Sequence, residues 1–126
     1  MGEIEYWDDD AIKAFNPPSA NLPHEKIIVV HRSDSSGTTA IFTTYLSLVN
    51  KEWADKVGAG KTVDWPVDKV GRGGIGGKGN PGVVQALKNT KYSIAYTELS
   101  FAIEENLKVV ALKNKAGTSL SPLTMR

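Results

Sequence analysis

The sequence predicts an α/β fold with a largely parallel sheet. Two observations carry that expectation. Ile27-Ile28-Val29-Val30 is a continuous apolar run, as expected of a strand buried on both faces. Strand-like and helix-like stretches then alternate along the chain, which is the pattern of βα units. A length of 126 residues fits one domain, and 40% hydrophobic residues suffice for a core.

The elements follow in order. Trp7 to Phe15 reads as a short helix, with Ile12 and Phe15 three apart and Asp8, Asp9 and Asp10 at its start. Pro17, Pro18 and Pro23 make the next stretch a loop. Lys26 to Arg32 is the buried strand. Thr38 to about Asn50 is an amphipathic helix, with Ile41, Phe42, Tyr45, Leu46 and Val49 at helical spacing. Lys51 to Val57 prolongs it or forms a separate turn. Thr62 to Trp65 is a short strand that Pro66 stops. Residues 67–82 carry seven glycines and read as a loop. Val83 to Lys88 is a helix opened by Asn80-Pro81, Ser93 to Tyr96 a strand, Glu98 to Glu105 a helix and Lys108 to Leu112 a strand. Asn114-Lys115-Ala116-Gly117 is a turn, and 121–126 end the chain without a finished element.

Composition excludes several functions. Fifteen basic and 14 acidic residues give a net charge of +1, with no basic stripe for nucleic acid. Without cysteine there is no disulfide, thiolate metal site or thiol nucleophile. No His, Asp and Glu cluster has metal spacing, and nothing calls for a cofactor. No apolar run is long enough to span a membrane. The acidic start Met1-Gly2-Glu3-Ile4-Glu5 lacks the features of a signal peptide, which leaves a cytoplasmic protein or a chain without its beginning.

The run Val30-His31-Arg32-Ser33-Asp34-Ser35-Ser36-Gly37-Thr38-Thr39 reads as the mouth of an anion site. Arg32 ends a strand, small residues make a turn, and Thr38 and Thr39 open a helix whose first N–H groups lack internal partners. Its alternative is a well-capped helix with a surface Arg. Asp34 either pairs with Arg32 or makes an Asx-turn with its own backbone. His31, Asp34 and Ser36 are the residue types of a hydrolytic triad, but consecutive strand side chains diverge, so His31 should point away from Arg32. Gly71-Arg72-Gly73-Gly74-Ile75-Gly76 matches a dinucleotide fingerprint in form only, since more glycine follows instead of a helix. Gly77-Lys78-Gly79 lacks the hydroxyl residue of a phosphate loop. The stretch 71–82 therefore lines a cleft or is a flexible surface loop. Trp53 and Trp65 read as core or rim aromatics, and His24 as a loop residue.

Taken together, Tyr6-Trp7-Asp8-Asp9, the run Ile28 to Thr39, Phe42-Thr43-Thr44-Tyr45-Leu46, Val63-Asp64-Trp65-Pro66, Gly76-Gly77-Lys78-Gly79-Asn80 and Ser93-Ile94-Ala95-Tyr96 resemble the substrate-binding protein of the phosphate-specific ABC transporter. The resemblance runs from about Tyr6 to Pro122. It implies a three-layer α/β lobe of a type II periplasmic-binding-protein-like fold, with helices on both sides of the sheet. Residues 1–126 would be a single lobe, the second of a two-lobed receptor, without the first lobe or a signal or lipid-anchor segment. The implied phosphate-binding residues are Arg32, Ser36, Gly37 through its N–H, and Thr38, with Asp34 and Ser35 in support. The implied partners are inorganic phosphate, the first lobe and the transporter's membrane subunits, and the implied location is periplasmic or at the cell surface. A homodimer through the exposed lobe face is a further expectation. The family's carboxylate that accepts the proton of hydrogen phosphate lies in the other lobe. Asp68 to Ile75 is longer than the family's usual link between its W-P and G-G-K-G-N elements. The competing expectation is a small phosphatase-like enzyme using the Ser/Gly/Thr turn as an oxyanion hole. It lacks a convincing nucleophile, base or metal cluster.

Overall fold

A three-stranded parallel sheet, in the order β2-β1-β3, organises the computed structural model. The structure describes residues 1–17, 19–69, 73–110, 112–113 and 119–120. The central strand β1 (Ile28–Arg32) pairs with β2 (Gly74–Gly77) on one side and β3 (Ser93–Ala95) on the other. Val30 and His31 are buried at its middle, as a central strand requires. The α/β reading with a parallel sheet flanked by helices therefore stands.

The first helix is shorter than its pattern suggests. α1 spans Asp10–Lys13, because the Asp9 side chain accepts from the Ala11 N–H and caps it there. Trp7 is already engaged elsewhere, with its backbone N–H on Glu25 O and its indole N–H on Tyr92 O. A bridge between Tyr6 and Lys26 and a bond from Ile27 N–H to Glu5 O lay this arm beside the start of β1.

α2 (Gly37–Val49) begins one residue before the expected Thr38, with Ser36 as N-cap. Its buried face is not the expected one. Thr39 and Thr43 are buried, while Ile41 is 76% exposed and Val49 is also exposed. The threonines can go inside because their hydroxyls are satisfied there. Thr43 Oγ1 donates to Thr39 O at 2.7 Å and accepts the Gly60 N–H at 3.1 Å. Phe42 and Leu46 complete the inner face. A separate helix α3 (Lys51–Lys56) follows, capped by Asn50, and it buries Trp53.

Thr62 to Trp65 is not a strand. Val63 and Trp65 pack into an aromatic cluster with Trp53, Tyr96 and Phe42, and Pro66 turns the chain into a single 3-10 turn, Pro66–Asp68. The glycine-rich stretch, read as a loop, contains a strand and the start of a helix. β2 is built from Gly74-Ile75-Gly76-Gly77, and α4 (Gly79–Asn89) begins four residues before Val83. Close approach explains the glycines. A Cβ on Gly77 would lie 2.7 Å from Val83 N and 2.8 Å from Gly82 C, so only glycine lets α4 turn back over β2. α4 then buries Val83 and Val84.

β3 ends at Ala95, one residue early, and α5 spans Leu99–Glu104. The final expected strand is reduced to Leu112–Lys113 (β4), paired antiparallel with Ser119–Leu120 (β5), and 108–110 carry no strand. The expected turn at 114–117 and the terminal stretch 121–126 lie outside the described residues.

Candidate functional site

The C-terminal end of β1 delivers its side chains to opposite faces, as alternation demands. His31 goes to the aromatic side, where its ring stacks on Trp65 at 4.8 Å. Arg32 goes toward α4. Its Nε and Nη2 donate to the two oxygens of Asp34 at 2.7 and 2.8 Å, and its Nη1 donates to Asn80 Oδ1 at 3.2 Å. Of the two readings of Asp34, the Arg32 pair is the one realised as a fork. Guanidinium carries five N–H groups, so one on each terminal nitrogen has no acceptor among the described residues. The Asp34 fork therefore blocks one edge of Arg32 and leaves the other for a ligand.

Asp34 also accepts the Gly79 N–H at 3.2 Å, at the start of α4. The Arg32 hydrogen bond, helped by Gly79, holds the Asp34 carboxyl well below the ordinary carboxylate range. The same bond raises the already high affinity of Arg32 for its proton. Both stay charged at any ordinary pH, and the geometry is held by a short, two-point contact.

Four residues beyond Arg32, Ser36 is buried and its Oγ accepts the Thr39 N–H at 2.8 Å. The Ser36 N–H is spent on Lys61 O, and Ala40 N–H returns to Ser36 O. Gly37 and Thr38 are left: their N–H groups have no acceptor among the described residues. They are the orphan donors of a 13-residue helix, and the helix dipole adds partial positive charge there. Gly37 has nothing within 4 Å of where a Cβ would stand, so the helix tip is open. Ser35 is exposed in the turn between Asp34 and Ser36.

His31 takes no part in a triad. Its Nδ1 lies 2.9 Å from Arg32 O and its Nε2 2.6 Å from Asp68 Oδ1, so both ring nitrogens are committed within the protein. Its carboxylate partner is Asp68, not Asp34. An open cleft of about 400 Å³ lies alongside, lined by His31, Arg32, Thr39, Lys61, Trp65 and Gly76 among others. It borders the turn at Arg32 and Thr39 and does not include Ser36, Gly37 or Thr38. Among the described residues, no three His, Asp or Glu side chains group as metal ligands.

Residues 1–125 match the family model described as the PBP superfamily domain. The chain belongs to the PBP superfamily. Similar proteins include Phosphate-binding protein PstS of Methanocaldococcus jannaschii, 68% identical over 123 residues, with 97% of this chain and 31% of the relative covered. The protein of the same name from Pasteurella multocida is 48% identical, with 97% of this chain and 33% of the relative covered. That from Xylella fastidiosa is 47% identical, covering 97% and 32%. The chain thus spans about a third of the length of the curated relatives it matches.

Three residues of this PBP-superfamily domain shape the site without having been singled out for it. Asn80 and Gly79 reach Arg32 and Asp34 from α4. Tyr96 Oη accepts the Arg32 backbone N–H at 3.0 Å and lies 2.8 Å from Thr39 Oγ1. Asn80 and Tyr96 stand 48 and 64 residues from Arg32. Their only signal in sequence was membership of the recognisable segments Gly76 to Asn80 and Ser93 to Tyr96.

Proposed function

We propose that this chain binds inorganic phosphate, as the second lobe of the extracytoplasmic receptor of an ABC-type phosphate importer. The observation that carries the reading is the pair of N–H groups on Gly37 and Thr38, one short turn from an Arg32 with two N–H groups, none of the four having an acceptor among the described residues. A tetrahedral oxyanion offers several acceptors and matches that donor set. Arg32, Ser36, Gly37 through its N–H, and Thr38 are the proposed ligands. Asp34 orients Arg32, and Ser35 keeps the turn small. The names of the relatives support phosphate as the anion.

The lobe reading, with residues 1–126 as one unit, draws on the relatives, of whose length the match takes about a third. The remaining receptor would supply the other side of the ligand cage, and membrane subunits of the transporter would receive the loaded protein from the periplasm or cell surface. Binding without chemistry fits His31, whose two nitrogens face Arg32 O and Asp68 and neither of which is presented to a serine. An isolated lobe leaves the anion half solvated, so its affinity is expected at about 1 mM or weaker, against about 1 μM or tighter for an enclosed site. The exposed lobe face would also favour self-association, which light scattering at rising concentration would read as a growing mass; a constant monomer mass would remove that part.

The test is a backbone-amide NMR titration with orthophosphate and then sulfate at fixed ionic strength. Saturable shifts centred on Ser36, Gly37 and Thr38, and lost in Arg32→Ala, are expected. Equal response to sulfate would place selectivity in the rest of the receptor. Absence of any shift up to high millimolar phosphate would overturn the reading for this chain.

A further inference from the structure

Tyr96 is not among the proposed ligands, yet its hydroxyl sits where the two halves of the anion site join. The Arg32 backbone N–H donates to Tyr96 Oη at 3.0 Å. The same oxygen lies 2.8 Å from Thr39 Oγ1. Thr39 belongs to the first turn of α2, is 1% exposed, and has its own N–H held by the Ser36 cap. One oxygen therefore links the residue that carries the guanidinium to the turn that carries Ser36, Gly37 and Thr38. It is not free to drift. Phe42 stacks on the Tyr96 ring at 4.6 Å and Trp65 at 5.5 Å, and the residue is 8% exposed.

We propose that Tyr96 is a positioning residue for phosphate binding, whose hydroxyl sets the spacing between Arg32 and the N-terminus of α2. The proposal rests on the phosphate reading above. An anion that must meet Arg32 and the α2 N–H groups together is sensitive to displacements of about 0.5 Å between them. The Asp34 fork and Asn80 hold the Arg32 side chain relative to α4, which is a different reference frame. Among the described residues, the Tyr96 hydroxyl is the side-chain bridge from the Arg32 backbone to α2. Tyr96→Phe removes that oxygen and keeps both ring stacks. Thr39→Val removes the other end of the bridge at nearly constant volume.

The experiment titrates inorganic phosphate into the 126-residue chain, wild type, Tyr96→Phe, Thr39→Val and the double variant, reading Kd from the Gly37 and Thr38 amides and Tm in parallel. Expected is about tenfold weaker binding in Tyr96→Phe, about 1.4 kcal/mol. Thr39→Val should fall by a similar factor. The double variant should bind no more weakly than the poorer single one, because both break the same bridge. A lowered Tm with an unchanged Kd in Tyr96→Phe would make the hydroxyl purely structural and overturn the proposal, as would independent, multiplying losses in the double variant. Should Tyr96→Phe fail to fold, Thr39→Val decides by the same split between Kd and Tm. A wild type without saturable shifts would remove the phosphate reading and this proposal together. A binding wild type with an equally binding Tyr96→Phe removes this proposal alone.

Discussion

Ser36 has two roles in the geometry, and substitution separates them. As the N-cap of α2, its Oγ accepts the Thr39 N–H at 2.8 Å. Removing such a cap costs about 1 kcal/mol, within a range of about 0.5–2. For a chain of this size that lowers Tm by about 4 °C. As a hydroxyl, the same group still has its hydrogen to donate, and it stands beside the unpartnered Gly37 and Thr38 N–H groups. A hydrogen bond to a charged acceptor contributes about 1.5–3 kcal/mol. Water competes at an open half-site, so the lower end applies and Ser36→Ala should weaken phosphate about tenfold.

Ser36→Asp makes the distinction sharper. Asp caps as well as Ser and favours the helix dipole, so Tm should stay within about 3 °C of wild type. It also places a carboxylate on the donors that the phosphate needs, so binding should disappear. The assay is thermal denaturation beside amide titration of each variant. If Ser36→Ala lowered Tm and left Kd untouched, Ser36 would be a cap and nothing more. If Ser36→Asp bound phosphate as wild type does, the anion site would not be at the start of α2.

Other outcomes follow from the same geometry. Arg32→Lys preserves charge but cannot hold both Asp34 oxygens and offer a second donor edge, so phosphate binding should weaken at least about tenfold in the same titration; an unchanged Kd would show that charge alone suffices. Asp34 has a folded-state affinity for protons far below its unfolded one, so it contributes stability that is fully present above about pH 4 and drains away as pH falls further. Asp34→Asn should therefore flatten the acid limb of a Tm-against-pH curve below about pH 4 while lowering Tm at pH 7, and parallel curves would contradict the pairing. Gly77→Ala places a methyl 2.7 Å from Val83 N, a backbone atom that cannot swing away, and should destabilise by about 1–3 kcal/mol in urea unfolding. An unchanged midpoint would mean that α4 is not seated on β2 as described.

What the sequence revealed and what it concealed divide along the range of the forces involved. β1 was legible because four consecutive apolar residues state burial on both faces. The start of α2 was legible because Ser36 and the residues after it carry local capping chemistry, and the Arg32–Asp34 pair because two residues span it. β2 was illegible because glycine has no preference for strands. Its extended state is imposed by pairing with β1 and by the return of α4, both remote in sequence. The inner face of α2 was misread because periodicity counts threonine as polar, whereas Thr43 finds both a donor and acceptors inside. Asn80 and Tyr96 were invisible as site residues for the plainest reason: no local pattern links them to Arg32, and only the packing of α4 and the end of β3 against β1 brings them there.

The two helix N-termini near Arg32 are treated differently, and on the proposed reading the difference explains how a site with little net charge would take an anion. The first N–H of α4, on Gly79, already has its anion in the Asp34 carboxylate. The first two N–H groups of α2 have none among the described residues. Asp34 thus fills one dipole and opposes the Arg32 charge, while fixing the guanidinium so that its remaining edge keeps one direction. The attraction left over is directional and short in range: two backbone donors, hydroxyls and one oriented edge. Such a site discriminates by the number and placement of acceptors on its ligand more than by charge, since a simple monatomic anion can satisfy only part of the donor set at once. It should also lose less to salt than an open basic patch, because screening acts chiefly over distances of about 8 Å at physiological ionic strength and the proposed contacts would be made at hydrogen-bond length.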